Sequence, residues 1–151
     1  MTQIDFYILS EDSEDARLRL ACRLTEKAMH RKLGVYLLVE TEGDARKLDE
    51  LLWTFSQNSF VPHRLAWNLE AAVEEAVFIG CDGHAETVPF GRPEAPGWDL
   101  MINLADAVPE SFGRYERLAE VVDAQPTRRE LGRERYRYYR DRGYELKTHR
   151  L

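Results

Sequence analysis

The chain has 151 residues, is 44% hydrophobic and carries a formal charge of −6. That length supports one domain with a proper core rather than two. No apolar run approaches the ~18 residues of a membrane span, the N-terminus lacks the basic-then-apolar order of a secretory signal, and two cysteines, Cys22 and Cys81, make no disulfide framework. The expectation is one cytoplasmic domain over residues 1–151, with no membrane contact.

In chain order, Ile4–Leu9 is a short aromatic and β-branched run that reads as a buried strand. A helix follows with Leu18, Ala21, Cys22, Ala28 and Met29 near one face and Gly34 as its stop. Val35–Val39 is the second strand. Thr41 opens a second helix, in which Ala45, Leu48, Leu52 and Phe55 share a face while Trp53 lies off it. Further strands are expected at Ala76–Ile79, Leu100–Leu104 and Leu118–Val122, and a last helix from about Arg128 to Arg142. Between Leu65 and Asp99, four glycines and three prolines suit a hairpin or a long surface loop. Strands alternating with helices point to an α/β fold: a single Rossmann-like domain whose mainly parallel open sheet has helices on both faces.

Such a sheet invites a nucleotide, but the turn after the first strand reads SEDSED where a phosphate site needs glycines. Glu11, Asp12, Glu14 and Asp15 would repel a pyrophosphate. They could hold Mg²⁺, or simply cap a helix and complement its dipole. Cys81 and His84 have the spacing of half a zinc site with no second half nearby. No serine or cysteine stands in a nucleophile context, and His30, His63, His84 and His149 are scattered. The residues suggest no catalytic group, no metal and no cofactor. An enzyme with an acidic metal site near residues 11–15 is the contrasting reading.

Charge is unevenly placed. Residues 126–151 hold nine Lys/Arg against four Asp/Glu, and the remainder 12 against 23. A body of that sign disfavours direct DNA binding, which depends on neutralising phosphates. In the last helix, Thr127 and Glu130 form a T-x-x-E capping box and Gly143 suits the stop. Arg129, Arg133, Tyr136, Arg137 and Arg140 fall in one stripe about 100° wide, leaving Leu131 and Tyr138 to pack on the sheet. Arginines repeated at i, i+4 repel by about 0.2–0.5 kcal/mol per pair. The row therefore suits an incoming anionic peptide, with a solvated face or direct nucleic-acid contact as the other readings. In SFVPH, Phe60, Val61 and Pro62 form an edge strand or loop that either plugs the sheet or exposes an apolar patch, and Trp53 has the character of an interface anchor.

FYIL near the N-terminus, LDELLW followed by SFVPH, then DLMINL and RERYRYYRDRGYELKTH occur in this order. In this the sequence resembles the chi subunit of bacterial DNA polymerase III, over nearly the whole chain except about Ala66 to Pro96. The resemblance implies a non-catalytic accessory subunit of the DNA-directed DNA polymerase, in its clamp-loader complex. It implies a heterodimer with the psi subunit and binding of the acidic C-terminal tail of single-stranded DNA-binding protein. Arg133 then matches the arginine that contacts the tail, with Arg129, Tyr136 and Arg137 supporting it. Phe60 matches the aromatic at the psi interface, with Val61 and Pro62 beside it, and Trp53 matches an interface position of unassigned partner. A helicase-like protein in place of psi stays open as a further partner.

Overall fold

The structure is a computed structural model that describes residues 1–57, 60–67, 75–92 and 95–151, with the backbone alone for 85–87. Strand β1 (Gln3–Ile8) leads through helix α1 (Glu14–His30) to β2 (Val35–Leu38) and helix α2 (Glu42–Thr54). Then come β3 (Arg64–Leu65), β4 (Val77–Gly80), β5 (Leu100–Asn103), β6 (Arg117–Val122), helix α3 (Pro126–Asp141) and β7 (Leu146–Arg150). Among the described residues the strands form one open sheet in the order β3-β4-β2-β5-β6-β1-β7, and every pairing in it is parallel.

The expected α/β class is therefore the observed one, with parallel pairing throughout. A parallel sheet buries both faces, so its strands are apolar runs whose alternate residues serve different cores. Val35 and Leu37 of β2 join Leu18, Ala21, Cys22, Ala45, Leu48 and Leu52 beneath α1 and α2. Tyr36 and Leu38 point the other way, into a core with Phe6, Phe78, Met101, Leu118 and Tyr139 under α3 and the long loops.

Local signals placed the helix starts unevenly. Ser13 and Thr41 cap α1 and α2, accepting from the N–H groups of Ala16 and Asp44 at 3.1 Å each. The Thr127–Glu130 capping box does not form. The cap of α3 is Gln125, whose side chain accepts from Arg128 N–H at 2.6 Å, and Pro126 takes the first turn. Proline lacks the N–H that is unsatisfied there anyway, so it starts the helix two residues early. At the other end Gly143 does stop α3, with φ 83° and with the Tyr144 N–H reaching back to the Tyr139 carbonyl at 3.2 Å. Gly34 does not stop α1, which ends at His30 with Arg31 as its cap and Lys32 turning left-handed at φ 59°. Gly34 has another duty: a Cβ there would stand 2.7 Å from the Gly97 carbonyl and 2.8 Å from the Phe90 ring.

Two further expectations are refined. Of the two readings of residues 65–99, a hairpin or a long surface loop, β3 and β4 do not make the hairpin, because they pair in parallel and parallel strands cannot be joined by a tight turn; residues 68–74 and 93–94 of that segment lie outside the described residues. Of Leu131 and Tyr138, both half-buried, Tyr138 does pack against the core beside Tyr139, but the most buried positions of α3 are Gly132, Arg135 and Tyr139, with the half-buried Tyr136 next to them. Gly132 lets the helix approach β6 so closely that a Cβ would lie 3.1 Å from Val122.

Candidate functional site

The arginine-rich face of α3 forms one wall of a cleft of about 280 Å³, and β7 forms the other. Phe6, Ile8 and Val122 make its apolar floor, while Arg129, Arg133, Tyr136, Thr148 and Arg150 stand around it. Tyr136 is half-buried and meets Phe6 edge-on, ring centroids 5.2 Å apart, which fixes the phenol beside the floor. Arg129 is anchored by its Nη2, which donates to the Leu9 carbonyl at 2.9 Å, and its buried Nε has no partner among the described residues. Arg133 is exposed and leans on Glu130 at 3.6 Å, a loose contact between solvated groups that contributes little. Its guanidinium is thus available to a better acceptor.

Of the residues singled out on this helix, Arg129, Arg133 and Tyr136 come together at the cleft, and Arg137 is exposed outside its lining. Thr148 and Arg150 were not anticipated, because β7 itself was not. Its outward-facing LKTHR is polar, so it shows no hydrophobic alternation, and only the half-buried Leu146 hints at a strand. Small-ligand pockets run from roughly 300 to 1,000 Å³, so this cleft falls at the small end. It suits the end of a chain with one apolar side chain and flanking carboxylates, which arginine forks bind bidentately.

A second feature sits at the opposite edge of the sheet. Trp53 (47% exposed) and Phe60 (67%) are the only exposed large hydrophobic residues among those described besides the terminal Met1 and Leu151. Their ring centroids are 5.6 Å apart, and the Trp53 ring also covers His63 at 4.2 Å. Trp53 thus belongs with Phe60 and the exposed Pro62, not with the α3 cleft. Val61 is wholly buried, so it seats the segment in the core and cannot itself touch a partner. His63, one of the scattered histidines, is the residue sequence reasoning undervalued. Its buried ring lies between the Val61 carbonyl at 2.6 Å and the carbonyl and carboxylate of Asp49 at 3.0 and 3.1 Å, clamping residues 61–63 onto α2. Six strand spacings of about 4.8 Å put the two edges roughly 29 Å apart.

The acidic turn has structural work. Asp15 pairs with Arg19 at 2.8 Å and Glu14 with Lys47 at 3.4 Å, while Ser13 caps α1. The Cys81 N–H donates to His84 Nδ1 at 3.1 Å. Burial, with Glu42 and Glu40 adding to it, pushes the Cys81 thiol up, and burial drives Cys22 to about 12, so neither is a ready thiolate. Among the described residues no three His, Cys, Asp or Glu side chains are grouped to hold a metal ion. No helix there is long and apolar enough to cross a membrane.

Asp123, just before α3, locks the two helix starts together. It accepts from the Ser13 N–H at 3.1 Å and from the Arg128 fork at 2.7 and 2.6 Å. Burial alone would raise its carboxyl, but the Arg128 hydrogen bond and charge, with Arg17, outweigh that and hold it below the usual carboxylate range. A depressed carboxyl adds stability above its unfolded pKa of about 3.9 and loses it as pH falls through the folded value. Asp123→Asn should therefore be less stable than the parent at neutral pH, with the gap closing as pH falls from about 5 to about 2. Urea denaturation at a series of pH values reads this directly; a gap independent of pH would show that Asp123 contributes through shape, not charge.

The family model described as DNA polymerase III chi subunit, HolC, matches residues 1–147. A DNA polymerase III subunit chi from Pseudomonas aeruginosa is 38% identical over 151 residues, covering 100% of this chain and 98% of that protein. Subunits of the same name from Haemophilus influenzae and Escherichia coli K12 are 27% and 26% identical, covering 95% and 98% of this chain and 93% and 97% of their own lengths.

Proposed function

We propose, from the premise that this chain belongs to the DNA polymerase III chi subunit family and so serves in DNA replication, that it acts as a two-faced adaptor within the polymerase. On this reading it carries no catalytic site of its own. The α3–β7 cleft takes the acidic C-terminal tail of single-stranded DNA-binding protein, and the Trp53–Phe60–Pro62 patch takes the psi subunit, which joins it to the clamp loader. The observation that carries the first half is the convergence of Arg129, Arg133 and Arg150 on a small cleft with an apolar floor. In a protein of net charge −6, such a concentration of cations selects an acidic partner.

In mechanism, the tail's carboxylates pair with the guanidiniums and its apolar end lies on Phe6 and Ile8 beside Tyr136. Exposed charge pairs are screened by salt, so each contact is modest, and many tails on one DNA-bound assembly hold the polymerase by avidity. Fluorescence titration with a labelled peptide of aspartates ending in phenylalanine should saturate at low salt and weaken at least several-fold at high salt. Arg133→Ala should weaken binding by about tenfold or more, the loss of one charge-assisted contact, at unchanged thermal stability. Absence of saturable binding at low salt would sink the tail assignment.

A further inference from the structure

The C-terminal ends of β5 and β6 and the first turns of α1 and α3 surround a small cavity of about 10 Å³ lined by Arg17, Arg128 and Arg135, with Leu104, Val122 and Asp106. Two of the three guanidiniums are neutralised by buried carboxylates. Arg128 forks onto Asp123, and Arg135 Nε donates to Glu120 at 3.0 Å. Both carboxylates are fully engaged, Asp123 by the Ser13 N–H and Glu120 by the Tyr139 hydroxyl and the Asn103 amide.

Arg17 has no such partner. It is 9% exposed, its Nη1 donates to the Leu104 carbonyl at 3.1 Å, and its buried Nε meets no acceptor among the described residues. Asp123 and Glu14 act on it only through space, while Arg128 and Arg135 repel it. Asp106 is exposed and forms no ion pair with the three among the described residues. Around the cavity three guanidiniums thus stand against two engaged carboxylates and the more distant Glu14, and the buried, unpartnered Nε of Arg17 leaves the spot electropositive, with a donor that lacks an acceptor. The carboxyl end of a parallel sheet is also where α/β folds leave a crevice for ligands.

We propose that this cavity binds one monovalent halide ion, chloride in ordinary buffers, held by Arg17 together with Arg128 and Arg135. Volume decides the class. About 10 Å³ of this kind of space takes roughly one water-sized particle, which excludes phosphate, carboxylates and nucleotides. The ion tethers the start of α1 and the body of α3 to the ends of β5 and β6, and so steadies the helix that carries the arginine cleft.

Crystals of the full chain soaked in sodium bromide should show an anomalous peak inside the cavity, in contact with Arg17. A cavity without such a peak, or with water alone, overturns the proposal. In solution, melting in sodium chloride should exceed that in sodium glutamate at equal ionic strength by about 4 °C, glutamate being too large to enter. Arg17→Met should abolish that difference. Equal melting in both salts, or a difference that survives Arg17→Met, also overturns it. Should Arg17→Met fail to fold, the bromide peak in the parent protein decides alone.

Discussion

Arg135→Ala is expected to destabilise the protein by about 3–5 kcal/mol, lowering its melting temperature by roughly 10 °C or more. Arg135 and Glu120 are 7% and 0% exposed in their side chains and pair at 3.0 Å across the interface between α3 and β6. Glu120 also accepts from the Tyr139 hydroxyl at 2.6 Å and from Asn103 Nδ2 at 3.1 Å, and Arg135 donates to the Asp106 carbonyl at 2.7 Å. Removing the guanidinium leaves a carboxylate with no counter-charge beneath the helix, and that desolvation, more than the lost attraction, sets the size of the effect. Burial and then the Glu120 charge push the Tyr139 hydroxyl up, so it stays a neutral donor to Glu120 and adds no second negative charge. The paired change Glu120→Met with Arg135→Met should recover most of the loss, because it removes both charges at similar volume. Guanidinium denaturation of the two variants beside the parent tests this; a cost of Arg135→Ala below about 1 kcal/mol would mean the network does not hold α3.

Phe60→Ala is expected to weaken psi binding by about 30-fold or more while leaving the melting temperature and acidic-peptide binding unchanged. The figure corresponds to a hot-spot loss of about 2 kcal/mol. Phe60 is 67% exposed, so its truncation costs the fold little, and Trp53 at 5.6 Å loses the neighbour that completes the patch. Trp53→Ala should act in the same direction, since the two rings form one surface. Independence from the peptide site follows from distance: sites beyond about 10 Å with no shared partners behave additively, and these lie at opposite edges of the sheet. Calorimetry with purified psi and with the peptide, on Phe60→Ala and Arg133→Ala, gives four affinities. Two crossed losses are expected; equal damage to both partners by either variant would refute the separation.

Much of the architecture could be read in chain order because its signals are local. Ile4–Leu9, Val35–Val39 and Leu100–Leu104 are each within a residue of the observed strands at either end, since a doubly buried strand is a continuous apolar run. The caps at Ser13 and Thr41 and the stop at Gly143 depend on side chains a few residues away. Where two local signals competed, the weaker-looking one prevailed: Pro126 with Gln125 started α3, and the box at Thr127 never formed. The arginine stripe was legible for the same reason, helical geometry being enough to align Arg129, Arg133 and Tyr136.

What stayed hidden is what depends on residues far apart in the chain. Arg135 looks like one more surface arginine until Glu120 arrives beneath it from β6, so the true packing face of α3 was masked by a polar residue. The cleft needed its second wall, and β7 forms that wall only by pairing with β1, whose Ile8 lies opposite Arg150. An edge strand with mostly exposed side chains has almost no hydrophobic signature, so no window of sequence announces it. Likewise Val61 and Phe60 are neighbours of like character, yet one is wholly buried and the other 67% exposed, because the edge of the sheet and the His63 clamp choose which side faces the core. Composition, caps and charge are properties of neighbouring residues and were written in the chain. Partnership across the sheet is set by burial and pairing between distant segments, and only the folded molecule could assign it.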